Sequence, residues 1–308
     1  MMSGCRTLKD VCYRLRWLLL PLLLCLQSVT WAEPVTDTVA LKVCVDCHTL
    51  QANPNLHLIF KTPHGAGRTA DGAVCSGCHG SSLAHREDPL RNPVETSFKG
   101  GAAINAEQIN GVCLNCHKGG ARMAWQGSVH HNEDMNCLSC HKVHVAEDPV
   151  LSKSEQEQVC FGCHRDVQAQ THLPSTHPID VGKTQCSACH NAHGSTTPAS
   201  LNGITLNDTC YTCHAEKRGP FLFEHTPVAE DCSLCHKAHG SVNPDLLTAR
   251  TPFLCQQCHS AAFHPSMLND GSGLPSAAPN PSLLGKNCLN CHSQVHGSNH
   301  PSGGRLTR

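Results

Sequence analysis

The pattern Cys-x-x-Cys-His occurs ten times in this 308-residue chain and uses every cysteine after residue 32. The copies are Cys44, Cys47 and His48; Cys75, Cys78 and His79; Cys113, Cys116 and His117; Cys137, Cys140 and His141; Cys160, Cys163 and His164. They continue as Cys186, Cys189 and His190; Cys210, Cys213 and His214; Cys232, Cys235 and His236; Cys255, Cys258 and His259; and Cys288, Cys291 and His292. This is the attachment pattern of c-type haem. Each thiol adds to one vinyl group, the two-residue spacer sets the sulfurs at vinyl separation, and the adjacent histidine reaches one axial face of the iron. The cofactor expected is therefore ten covalently attached haem c groups, with the ten adjacent histidines as proximal ligands.

Rival readings of paired cysteines explain the pattern poorly. Zinc ribbons use pairs of CxxC but have no need of a histidine after every second cysteine. A redox dithiol occurs once, beside a βαβ pattern that is absent here. A disulfide framework would not place all the later cysteines in one five-residue template.

The chain holds 24 histidines, so fourteen stand outside the motifs. Their positions follow a repeat. From Cys113 onward the order is one CxxCH, a later histidine, a second CxxCH, and a further histidine three or four residues on. Five di-haem modules result, at about 44–85, 113–144, 160–193, 210–239 and 255–296. The histidines ahead of the second motif are His64, His130, His177, His225 and His264, and those after it are His85, His144, His193, His239 and His296. These ten are the candidate distal ligands. His144, His193, His239 and His296 lie too close to the preceding proximal histidine to reach the far face of the same haem, so they are expected to serve a neighbouring iron. Ser128-Val-His130 parallels Ser175-Thr-His177, which favours His130 over His131. His57, His131, His172 and His300 remain as non-ligands, and which distal histidine serves which haem is not readable from spacing. No catalytic residue is identified.

These ligands must be held by a chain that is poor in ordinary core. Aromatics are 4% and charged residues 15% of the composition, so the porphyrins must supply much of the buried surface. Each offers apolar area on the order of hundreds of Å², worth several kcal/mol at ~25 cal/mol per Å². Between motifs the chain is polar and rich in Gly and Pro, which argues for turns. Short helices are expected around 106–117 and 153–165, and no stretch alternates long enough for a sheet. The fold class expected is a multihaem cytochrome c, mostly irregular with short α-helices and little or no sheet. Its body is expected to be elongated, following a haem chain of five di-haem modules, with a Pro/Ser/Gly-rich insert at 271–285.

Residues 1–32 read as a secretory signal peptide. Arg6, Lys9, Arg14 and Arg16 precede a short apolar stretch from Trp17 to Leu26, and cleavage is expected after Ala32. That leaves 33–308 as the decahaem domain. Export suits haem attachment, which takes place outside the bacterial cytoplasm. The formal charge of −1 becomes −4 once the leader's four basic residues and one acid are removed. Twenty propionates would carry it further negative, and no basic patch points to nucleic acid.

With imidazole on both faces, an iron has no vacant position for substrate. Such a site moves electrons at low potential, because it lacks the methionine that raises the potential of ordinary cytochromes c. A reductase with one open catalytic haem is the rival class, but no variant motif such as CxxCK occurs. A freely diffusing periplasmic shuttle is a further alternative.

Several stretches make the chain resemble the decahaem MtrA/DmsE family of periplasmic cytochromes. They are Phe60-Lys-Thr-Pro-His64-Gly, Trp125-Gln-Gly-Ser-Val-His130, Lys217-Arg-Gly-Pro-Phe-Leu-Phe-Glu-His225, Asp231-Cys-Ser-Leu-Cys-His236-Lys-Ala-His239-Gly, and Cys291-His-Ser-Gln-Val-His-Gly-Ser-Asn-His300-Pro-Ser-Gly. The resemblance implies a periplasmic cytochrome seated inside an outer-membrane β-barrel porin. It further implies a periplasmic or inner-membrane cytochrome as donor, and an extracellular multihaem cytochrome or molybdenum reductase as the outer partner. Metal oxides or dimethyl sulfoxide are the implied terminal acceptors, and some members of the family run the other way.

Overall fold

A computed structural model describes residues 41–66, 73–99, 104–259 and 287–307. The leader at 1–32, the insert at 271–285 and His264 lie outside the described residues. Among these residues the longest helix, Ala106–Leu114, has nine residues, and no helix is long and apolar enough to cross a membrane. Isolated helices shorter than about 12–15 residues are marginal in water. Here, therefore, the helices serve to orient side chains and cannot act as self-sufficient scaffolding.

Their placement follows the motifs. The first cysteine of each module sits in a short helix: Leu41–Val45, Ala106–Leu114, Gln156–Phe161, Leu206–Tyr211 and Phe253–Gln256. Two of these begin in capping boxes, where Asn105 pairs with Gln108 and Thr205 with Asp208. Each box satisfies backbone donors that the helix start would leave open. The second motifs form single turns, Cys137–Cys140, Cys186–Cys189, Cys232–Leu234 and Cys288–Asn290, preceded by the helix Ala73–His79 in the first module. In three of the turns the residue just before the first cysteine caps it: the side chains of Asn136, Asp231 and Asn287 accept from the backbone N–H of Leu138, Ser233 and Leu289. The helices expected at 106–117 and 153–165 are present as Ala106–Leu114 and Gln156–Phe161, the latter followed by Arg165–Thr171.

No strand forms among the described residues. Isolated bridges occur between described residues, namely Ser175 with Ser241, His190 with Leu201, Phe223 with Ser298, and His236 with Leu247. The fold is the irregular, short-helical class that the turn-rich composition implies.

The protein core is correspondingly small. Ile59, Val74, Ile109, Trp125, Phe161 and Ile179 are the buried apolar side chains among the described residues, and the most deeply buried side chains are Asn110 and Ser241. So few apolar contacts cannot offset the conformational entropy of ordering a chain this long. Protein produced without haem attachment is expected to show no cooperative thermal transition in circular dichroism. The haem-loaded protein is expected to show one.

Candidate haem-binding centres

Within every module the first cysteines of the two motifs come together. The thiols of Cys44 and Cys75, Cys113 and Cys137, Cys160 and Cys186, Cys210 and Cys232, and Cys255 and Cys288 lie within hydrogen-bonding reach of each other. One thiol of a pair donates to the other, so the Cys137 and Cys186 thiols are drawn down to about 7 while those of Cys113 and Cys160 are pushed up. Between modules other cysteines stand within electrostatic range of each other. Cys78 interacts with Cys113, Cys140 with Cys163, Cys189 with Cys210 and Cys213, and Cys235 with Cys258. The ten motifs therefore adjoin one another in chain order.

A buried amide side chain joins the two motifs in the three middle modules. Asn110, 1% exposed, donates to Met135 O at 3.2 Å and accepts from Cys137 N at 3.0 Å. Asn207 donates to Val228 O at 3.0 Å and accepts from Cys232 N at 2.8 Å. Gln156 does the same with Val150 O at 2.8 Å and Ser187 N at 2.9 Å. These residues stand three or four positions before the first cysteine of their module. That recurrence of an amide one helical turn before the cysteine is the signal by which sequence reasoning could have found them. Burial of an amide is tolerated only because both its ends are satisfied.

The histidines meet in pairs across the modules. His48 faces His85 with ring centroids 6.2 Å apart, His64 faces His117 at 5.8 Å, and His79 faces His144 at 6.3 Å. His130 stands 6.1 Å from His164, His141 6.0 Å from His193, and His177 6.4 Å from His214. His190 and His239 are 6.0 Å apart, His225 and His259 6.0 Å, and His236 and His296 6.2 Å. Each pair joins one motif histidine to one histidine outside the motifs. Two metal–imidazole bonds of about 2 Å, plus the span from each nitrogen to its ring centre, amount to about 6 Å. The separation thus fits an iron held between the two rings.

The pairing obeys one rule. A histidine ahead of the second motif (His64, His130, His177, His225) faces the first motif of the next module. A histidine after the second motif (His144, His193, His239, His296) faces the second motif of the preceding module. The first module departs from the rule, and His85 turns to His48 of its own module. His264 lies outside the described residues.

Backbone contacts hold these reaches in place. Nδ1 of His130, His177 and His225 donates to the carbonyl of Ala192, Ala238 and Val295 at 2.8, 2.7 and 2.9 Å. Each acceptor immediately precedes a backward-reaching histidine, so the forward and backward reaches clasp each other. Glycine follows each of these histidines. A Cβ on Gly194 would lie 2.5 Å from Ala124 O, one on Gly240 would strike Gln170 O, and one on Gly297 would strike the Phe221 ring. Burial lowers the pKa of His144, His193, His239 and His296. Their imidazoles are thereby kept neutral, the form that binds a metal.

The four remaining histidines make other contacts. His57 Nε2 bonds the carbonyl of His48 at 2.6 Å, His131 Nε2 lies 3.4 Å from Glu107, and His300 Nδ1 bonds the Ser302 hydroxyl at 2.9 Å. His172 caps the end of helix Arg165–Thr171.

Two further observations fit a porphyrin. Arg122 Nε and Trp125 Nε1 are buried donors without a partner, and both lie close to His193. A buried unsatisfied donor costs on the order of 1–3 kcal/mol, a cost that a propionate at this place would remove. Beside His225 and His296 a small open cleft is lined by Tyr211, Phe221 and Val228, with Lys217, Arg218 and Glu224 also on its wall. Two cationic groups beside an apolar wall suit the carboxylates at a porphyrin's edge.

Comparison with known proteins gives the same reading. Residues 177–219 and 225–264 match the family described as a doubled CXXCH motif, and residues 75–156 match the family described as cytochrome c-type protein NrfB-like. The chain is 47% identical over 272 residues to the multiheme cytochrome MtrA of Shewanella baltica, covering 86% of this chain and 80% of that protein. It is 30% identical over 112 residues to the cytochrome c-type protein NrfB of Escherichia coli, covering 35% of this chain and 50% of the other. The corresponding protein of Haemophilus influenzae is 27% identical over 123 residues, covering 38% and 47%. With its CxxCH motifs arranged in adjoining pairs and an identity of this extent, the chain binds haem c and belongs to the MtrA family of multihaem c-type cytochromes.

Proposed function

We propose that the chain is a ten-haem electron-transfer protein in which each iron is held by two imidazoles, and that it passes electrons through the outer membrane. The observation that carries this reading is the set of nine facing histidine pairs at about 6 Å, each joining a motif histidine to one outside the motifs. On this reading the ligand sets are His48 with His85, His79 with His144, His117 with His64, His141 with His193, and His164 with His130. They continue as His190 with His239, His214 with His177, His236 with His296, and His259 with His225. His264, outside the described residues, is the tenth distal ligand on the repeat of the modules alone.

When bound, haem c supplies one-electron exchange between Fe(III) and Fe(II), and ten such sites in sequence would carry charge from one end of the series to the other. The chain's own residues do the rest. Imidazole on both faces leaves no position for substrate, which favours conduction over catalysis. The absence of methionine among the facing groups favours low potentials. The approach of the two first cysteines within each module supports the division into five di-haem modules within a 33–308 domain.

The kinship with MtrA and the export signal read at 1–32 support a periplasmic location at the outer membrane. The same kinship supports an outer-membrane β-barrel porin as housing, a periplasmic or inner-membrane cytochrome as inner partner, and an extracellular multihaem cytochrome or molybdenum reductase as outer partner. Liposomes loaded with a redox dye test the proposal. Porin and cytochrome together are expected to reduce the enclosed dye from an external donor. Equal rates with the porin alone would defeat it.

A further inference from the structure

Internal repetition provides a control for one contact that breaks the pattern. Among the described residues, Nδ1 of nine paired or motif histidines (His79, His85, His130, His144, His177, His190, His225, His236 and His292) is bonded to a backbone carbonyl. His141 Nδ1 instead meets the Asp148 carboxylate, at 2.7 Å from Oδ2. In modules three and four the equivalent proximal histidines use the loop that follows them. His190 donates to Ala199 O at 2.7 Å and His236 to Asp245 O at 2.8 Å. Both acceptors lie nine residues downstream and just after a proline, in left-handed backbone with φ of 56° and 54°. That conformation turns the carbonyl toward the ring.

Module two has its proline at the same offset, Pro149, but the residue after it is not left-handed. The bond is made by the residue before the proline, whose counterparts are Thr197 and Asn243. The carboxylate is well fixed. Oδ1 accepts from Lys142 N at 3.1 Å and Val150 N at 3.4 Å, and the side chain is 14% exposed. The other carboxylate beside a motif Nδ1, Glu216 at 3.8 Å from His214, is beyond hydrogen-bond range, and both groups are more than half exposed.

A carboxylate accepting from Nδ1–H pulls that proton toward itself and makes the opposite nitrogen a more basic ligand. A more basic ligand favours the oxidised, more positive metal. We propose that Asp148 lowers the potential of the haem held by Cys137, Cys140, His141 and His193 below the value a backbone carbonyl would set, placing a low-potential step fourth in the series. This rests on the bis-histidine reading above. Arg122, on the His193 side of this site, acts in the opposite sense, but it stays in place when Asp148 alone is changed.

The test uses the full haem-loaded chain and spectroelectrochemistry that resolves its ten one-electron components. Asp148→Asn and Asp148→Thr install the residue types of modules four and three, and both remain competent to cap the turn Pro149–Leu151. One component of ten is expected to move upward by a tenfold change in its Fe(II):Fe(III) ratio at fixed potential, about 59 mV. The other nine should stay, and Asp148→Glu should move the component back toward the wild-type value. Ten unmoved components, or a downward shift, overturn the proposal. So does failure of both neutral variants to load ten haems while Asp148→Glu loads them, since the carboxylate would then be merely structural. A high-spin haem in the unsubstituted protein would instead defeat the bis-histidine reading, and is visible before any variant is made.

Discussion

Replacing His239 by alanine is expected to turn one low-spin haem in ten into a five-coordinate, high-spin haem that binds carbon monoxide. The His239 ring faces His190 with centroids 6.0 Å apart and planes 26° from parallel. Its burial lowers its pKa, so the imidazole lone pair is free at neutral pH. Alanine supplies no donor atom, and the proximal bond from His190, held by Ala199 O, remains. The expected readout is therefore fractional: about one tenth of the haem absorbance responds to carbon monoxide, against none in the parent. The measurement is an optical titration with the gas, joined to electron paramagnetic resonance of the oxidised protein. Full low-spin character in the variant would show that His239 holds no iron.

Gly240→Ala is expected to produce nearly the same spectrum by a different route. Nothing is removed from the ligand; the added Cβ would collide with the carbonyl oxygen of Gln170 and crowd Thr176. The obstacle is backbone, and it cannot withdraw. Ser175 and Ser241 exchange two hydrogen bonds at 3.0 and 2.8 Å, and Ser241 is 2% exposed. Overpacking of a tight site costs about 1–3 kcal/mol, and a clash between backbones belongs at or above the top of that range. The strain is relieved most cheaply by moving His239 off the His190 axis, so a high-spin fraction and a lowered unfolding temperature should appear together. Gly111→Ala is the control. It lies inside helix Ala106–Leu114 with no heavy atom near its missing Cβ. There alanine should be neutral or stabilising by up to about 1 kcal/mol. If Gly240→Ala behaves like Gly111→Ala, the close approach of the two modules is not what seats His239.

The attachment sites were legible in the sequence because their chemistry is local. Two thiols and an imidazole within five residues need no tertiary context, and the helix that carries Cys113 needs little more than a capped polar stretch. The spacing of His64, His130, His177 and His225 likewise marked them as a set. Their destinations were not legible. His177 meets His214 through a clasp to Ala238, 61 residues from it, and no short-range pattern encodes which module will lie on the other side. The buried amides Asn110, Gln156 and Asn207 were also missed, since an isolated Asn or Gln before a motif reads as a turn residue until its partners are seen.

Residue types and short spacings alone determined where the CxxCH attachment patterns stand, how many histidines lie outside them, and how little apolar side chain is left for a core. Bond lengths and side-chain reach act over a few residues, so the sequence suffices for these. Only the tertiary structure decided which imidazoles face each other, that glycines at 194, 240 and 297 let neighbouring modules close, and that His141 leans on a carboxylate where His190 and His236 lean on backbone. Those outcomes depend on excluded volume and hydrogen-bond geometry between segments tens of residues apart, which the folded chain brings into contact and the linear one does not.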